Sequence, residues 1–196
     1  MSASQVSPNP PSLPPPQPIT VSKPPNKDIQ ITIDNSTNWT EIPINVTCIV
    51  VVSNCCNDLT SLNLNEYRYL KSIEIGNGCF ENVELFKIDG LNELKSLKIG
   101  INSFTHLKNN TWNDDLANNP NRSFSILNCA KLESIEIGRY SFIDYGGGFE
   151  LKNLPKLSNI KIDTFNFFYS SFVVKGIIDM ILLMNRSSTF EFHSIR

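Results

Sequence analysis

A β-rich repeat solenoid is the fold class this sequence predicts, on three observations. An eleven-residue block recurs five times between positions 46 and 167. A second apolar pattern recurs in the intervals. Within each block apolar and polar residues alternate with a period of two, as they do in a half-buried strand. The blocks are VTCIVVVSNCC (46–56), LKSIEIGNGCF (70–80), LKSLKIGINSF (94–104), LESIEIGRYSF (132–142) and LSNIKIDTFNF (157–167), with starts spaced by 24, 24, 38 and 25 residues. One such unit cannot bury its apolar face alone, whereas stacked copies can.

The chain before the repeats divides in two. Residues 1–27 hold nine of the twelve prolines. Proline locks φ near the polyproline II value, and the segment lacks the apolar content of a core. A disordered, extended arm is expected. Its PSLP (11–14) and PPQP (15–18) match the PxxP spacing of SH3-type ligands, but no basic residue stands at the usual flanking offset. Residues 28–45, DIQITIDNSTNWTEIPIN, alternate Ile29, Ile31 and Ile33, then Ile42 and Ile44. They predict N-terminal cap strands, a hairpin or irregular strand covering the first repeat.

Repeats are expected over 46–168. Ile73 and Ile75, like Leu97 and Ile99, face the interior of a strand, and Phe80, Phe104, Phe142 and Phe167 fill the space behind it. Gly76, Gly100 and Gly138 recur just after the strand, where a turn is expected to need a permissive backbone. The second pattern reads Leu62-x-Leu64-x-x-Tyr67, Phe86-x-Ile88-x-x-Leu91, Phe124-x-Ile126-x-x-Cys129 and Phe149-x-Leu151-x-x-Leu154. The long interval is one unit plus an insertion at about 109–122, drawn from KNNTWNDDLANNPNR. In residues 169–196, Val173, Val174, Ile177, Ile178, Ile181 and Leu182 stand at helical spacing, then Phe190 and Phe192 at strand spacing. A short C-terminal helix followed by a strand cap is expected there.

Composition narrows the function. A net charge of -2 and a pI near 5.7 give no single-sign field, so binding to nucleic acid by general electrostatics is disfavoured. No apolar stretch reaches the roughly 18 residues of a membrane span. The start, MSASQVSPNP, has neither a basic nor an apolar signal-peptide region, so a cytoplasmic location is expected. Asparagine occurs 24 times, roughly three times average usage. Six glycosylation sequons begin at Asn35, Asn38, Asn45, Asn109, Asn121 and Asn185, and in so asparagine-rich a chain about four arise by chance. Five cysteines in a reducing cell default to free thiols, although Cys55 and Cys79 lie one period apart and stacking would bring them close.

The blocks resemble leucine-rich repeats. LKSLKIGINSF fits L-x-x-L-x-L-x-x-N-x-L with Phe104 in the last place, and VTCIVVVSNCC fits with Asn54 and then Cys56 last. SFSILNCAKLESIEIG resembles the short bacterial-surface-antigen (BspA-type) repeats abundant in protozoa. The resemblance implies a right-handed curved array with a parallel sheet on its concave face, where ligands commonly bind. The asparagine position holds Gly78, Tyr140 and Phe165 in the other copies, so a continuous asparagine ladder is not expected.

Carried over residue by residue, the outward strand positions are Ser72 and Glu74, Ser96 and Lys98, Ser134 and Glu136, and Asn159 and Lys161. The second column reads Glu, Lys, Glu, Lys, a pattern that neutralises itself across neighbouring strands. Trp112, with Asp114 and Asp115, is the other candidate, because tryptophan is favoured at hot spots and insertions carry binding. No catalytic or phosphate-binding motif occurs. His106 and His193 have no metal-ligand spacing, so no enzyme, cofactor or metal is expected. The expected function is a non-catalytic protein-interaction module. A surface or secreted adhesion fragment, or a truncated repeat protein without its own partner, is the alternative.

Overall fold

The structure, a computed structural model, describes residues 24–107, 119–167 and 172–174. It is β-rich, with two parallel sheets and one short 3-10 helix among the described residues. The first sheet has six strands in the order β1 (Gln30–Ile33), β2 (Cys48–Val51), β3 (Ser72–Ile75), β5 (Ser96–Ile99), β7 (Ser134–Ile137) and β9 (Asn159–Ile162). The second runs β4 (Leu85–Asp89), β6 (Ser123–Leu127), β8 (Phe149–Lys152) and β10 (Phe172–Val174). From β3 onward the strands alternate between the sheets, so each crossover within one sheet passes through the other. That explains how all-parallel sheets, usually covered on both faces, each leave one face in solvent.

Register follows the sequence repeat. Cys48, Ser72, Ser96, Ser134 and Asn159 are Cα partners in turn. The inward residues Ile49, Ile73, Leu97, Ile135 and Ile160 are buried, as are Phe86, Ile88, Phe124, Ile126, Phe149 and Leu151 opposite. Between the sheets lie two phenylalanine columns. Phe80, Phe104, Phe142 and Phe167 stack at centroid distances of 5.0, 4.8 and 5.0 Å. Phe86, Phe124 and Phe149 stack at 5.0 Å each, and the columns meet edge to face, as between Phe149 and Phe167 at 4.7 Å. Both geometries suit the aromatic quadrupole.

The turn after each first-sheet strand differs from the sequence expectation. Gly76, Gly100 and Gly138 do not have positive φ; they are small because backbones stack there. A Cβ on Gly100 would lie 2.4 Å from Asn77 Oδ1 and 2.6 Å from the Gly76 carbonyl carbon. The left-handed positions come two and four residues later, at Asn102 (φ 55°) and Phe104 (φ 56°), and likewise at Tyr140 and Phe142. Left-handed φ is unfavourable for a bulky side chain, and the stacked rings hold it in place.

The polar ladder runs one residue after the asparagine position. Ser103 Oγ accepts from Cys79 N and donates to Gly76 O at 2.9 Å. Ser141 Oγ accepts from Ser103 N and donates to Gly100 O at 2.7 Å. Cys79 Sγ donates to Val52 O at 3.1 Å. Small donors in this column bind one turn to the turn before it.

Three further expectations need correction. The N-terminal cap is one strand, not a hairpin: β1 joins β2 in parallel, with Gln30 opposite Cys48. The Ile42–Ile44 stretch joins no strand: Ile42 ends the 3-10 helix Trp39–Glu41 that Asn38 caps, and Pro43 lacks the N–H a strand would need. The second apolar pattern forms strands at β4, β6 and β8 but not at Leu62–Tyr67. Asn63 Oδ1 accepts from Asn65 N, and such local bonds compete with sheet pairing. At the C-terminal end, Phe172–Val174 pairs with β8 as a strand where a helix was expected over Val173 and Val174. Residues 175–196, which hold the rest of that predicted helix and strand, lie outside the described residues.

Candidate functional site

The outward face of the first sheet brings the predicted columns together. One column runs Gln30, Cys48, Ser72, Ser96, Ser134, Asn159; its neighbour runs Thr32, Val50, Glu74, Lys98, Glu136, Lys161. Lys98 Nζ lies 3.0 Å from Glu74 Oε1, and Lys161 Nζ lies 2.8 Å from Glu136 Oε1. Each carboxylate, by hydrogen bond and by charge, holds its lysine above the usual ammonium range. The charges therefore form two discrete exposed pairs, and the face carries no net field to steer a charged partner over distance. Toward β2 it becomes less polar, with Cys48 and Val50 half-buried.

Trp112, Asp114 and Asp115 lie outside the described residues, as does 108–118 as a whole. Arg122 anchors the end of the insertion. Arg122 is fully buried, and its Nη1 donates to Asp144 Oδ2 at 2.7 Å. Its Nη2 donates to Glu81 O and Val83 O at 2.7 and 2.9 Å. The guanidinium carbon stands 4.9 Å from the centre of the Tyr145 ring, and the Tyr145 hydroxyl donates to Val83 O at 2.6 Å. Burial pushes the Tyr145 phenol well up. His106, at the other end of the insertion, donates its backbone N–H to Asp144 Oδ2, and its Nε2 sits 3.0 Å from Asn82 Oδ1.

Residues 119–122 are thus framework rather than loop. Asn119 bridges Tyr145, and Gly147 N donates to Arg122 O. A Cβ on Gly147 would lie 2.3 Å from Pro120 O, which is why glycine stands where the chain passes this segment. Sequence reasoning assigned Arg122 to a polar insertion. The available signal was Asp144-Tyr145 beside Gly146–Gly148, a departure from the repeat in the following unit.

A second concavity lies where the second sheet stops short. Among the described residues, the second sheet has no strand from the part of the chain between β1 and β3, which holds the 3-10 helix and the coil at 59–67. Trp39, Thr40, Leu59, Ser61, Leu62, Asn63, Glu66 and Tyr67 line a cleft of about 210 Å³ there. Trp39 meets Phe80 edge to face at 6.0 Å and so closes the end of the phenylalanine column.

All five cysteines are unbridged, including Cys55 and Cys79. Cys55 Sγ lies 2.9 Å from Cys56 Sγ, and burial together with that neighbour pushes the Cys56 thiol far up. Among the described residues, no three or more His, Cys, Asp or Glu side chains are placed to hold a metal ion. No helix there is long and apolar enough to cross a membrane. No protein-family model, curated protein or solved structure matches the chain.

Proposed function

We propose that this chain is a leucine-rich-repeat type solenoid that acts as a non-catalytic protein-interaction module through the outward face of its six-stranded sheet. The observation that carries the reading is the register of that sheet. Identical spacing in the repeats sets Ser72, Ser96, Ser134 and Asn159 in one straight column and the four charged residues in the next. A broad, charge-neutral polar face on a rigid support suits recognition by complementary shape and hydrogen bonding. Five unbridged thiols favour a reducing, cytoplasmic setting over the adhesion-fragment reading.

Site-specific crosslinking tests the face. A photo-crosslinking side chain at Ser134 is expected to capture a protein partner in cells of the source, while one at Ser125, on the second sheet, is not. Capture from Ser125 alone, or from neither position, overturns the proposal. Thiol titration of the native protein accompanies it, with five reactive thiols expected after unfolding without reductant.

A further inference from the structure

We infer that the cleft beside Trp39 is the docking site of the chain's own proline-rich arm, with residues 8–18 as the occupant. Among the described residues the second sheet has no strand before β4, and Leu59 and Leu62 are only partly covered where they pack against the core. The cleft between them carries two aromatic walls, Trp39 and Tyr67. Aromatic-lined grooves are what proline-rich segments dock into, since a preformed extended chain loses little entropy there.

The polar groups of the cleft suit the same occupant. Proline has a carbonyl but no N–H, so such a ligand asks for donors rather than acceptors. Tyr67 and Ser61, both hydroxyl-bearing, are among the residues that line it. Charge does not oppose the contact. Residues 8–18 carry no charged side chain to oppose Glu66 in the cleft or Glu41 in the adjoining 3-10 helix, and the tether that follows them holds Lys23 and Lys27 and no acidic residue before Asp28.

Connectivity makes the contact available. The arm joins the fold at Asp28, which is paired with Lys71, and at Ile29, whose N–H donates to Thr47 Oγ1. From Pro18 to Ile29 the tether extends up to roughly 34 Å in polyproline II geometry, enough to reach across one end of a domain this size. A covalent tether gives an effective concentration in the millimolar range, so even weak docking fills the cleft. The arm would then shield Trp39 and the open end of the second sheet.

Trp39 itself reports the contact. In full-length chain carrying Trp112→Phe, Trp39 is the sole tryptophan, and its quenching by acrylamide measures access to the cleft. Replacing Pro11, Pro14, Pro15 and Pro18 with serine is expected to raise the quenching constant about threefold with the circular dichroism unchanged. A synthetic peptide of residues 8–18 is expected to restore protection to that variant and to leave the parent unaffected. A Leu62→Ser variant with native circular dichroism is expected to lose protection and peptide binding together. Equal quenching in the parent and the four-serine variant overturns the inference. So does a peptide that binds both equally, and so does protection that rises with protein concentration, which would assign the cleft to a second copy.

Discussion

Arg122 and Asp144 form an ion pair with both side chains out of contact with solvent, 0% and 1% exposed, at 2.7 Å. It ties the end of the insertion to the next unit of the fold. Removing one partner leaves the other buried without its counter-charge, Asp144 with only His106 beside it or Arg122 with only the Glu81 and Val83 carbonyls and the Tyr145 ring, which costs about 3–5 kcal/mol. Arg122→Met is therefore expected to lower the urea midpoint severely, and Arg122→Met with Asp144→Leu is expected to recover much of the loss. A double variant no better than the single one would show that the backbone bonds to Glu81 and Val83 carry the stability instead.

Leu97 is 1% exposed in β5, with strands on both sides. Leu97→Asp is expected to destabilise the fold by more than about 4 kcal/mol, in one transition, because each unit is supported by its neighbours. Hydrogen exchange that opens β5 alone and spares β3 and β7 would contradict this.

The two kinds of glycine are separable by substitution. Gly100→Ala pushes a methyl group into the Gly76 backbone and is expected to cost about 3 kcal/mol. Gly90→Ala, at φ +77° with Arg68 Nη1 3.6 Å away, meets only the left-handed preference and is expected to cost about 1–2 kcal/mol. Thermal denaturation of the two variants in parallel gives the order.

Ser103→Ala removes a group that both donates to Gly76 O and accepts from Cys79 N. A loss of about 1–3 kcal/mol is expected from the two unsatisfied backbone groups. Ser103→Cys is expected to retain part of it, since Cys79 fills the corresponding place with a thiol donor to Val52 O. Equal losses would show that the thiol contributes nothing.

Acid sensitivity follows from Asp89. The hydrogen bond from Asn128, and then the bond from and charge of Lys87, hold its carboxyl below the ordinary carboxylate range. Its folded pKa is lower than its unfolded one, so the stabilisation is complete above the unfolded value and is lost as pH falls through the folded value. Asn128→Ala is expected to reduce the loss of stability between neutral and strongly acid pH. An unchanged difference between chemical denaturation curves at the two pH values would rule this coupling out.

The repeat was legible in the chain because a parallel array copies one local pattern. Strand alternation, the inward isoleucines and the phenylalanine column all recur at fixed offsets, and stacking turns equal offsets into contacts. The columns Ser72 to Asn159 and Glu74 to Lys161, expected from the resemblance to leucine-rich repeats, are aligned by the same register. Where the copies diverge, legibility fell. Leu62–Tyr67 carries the same apolar pattern as β4, β6 and β8, yet Asn63 Oδ1 accepts from Asn65 N and the segment forms no strand.

What the sequence determined by itself was periodicity, and with it the register and the core. What only the tertiary structure decided were features produced by two copies meeting. Gly76 and Gly100 are small for each other and not for their own dihedral angles. The ladder falls on serine and cysteine because their short side chains reach the preceding turn's carbonyl. Arg122 becomes the anchor of the insertion because Asp144, one unit later, lies opposite it. Each depends on a distance between residues 22 or more positions apart, and no local pattern encodes such a distance.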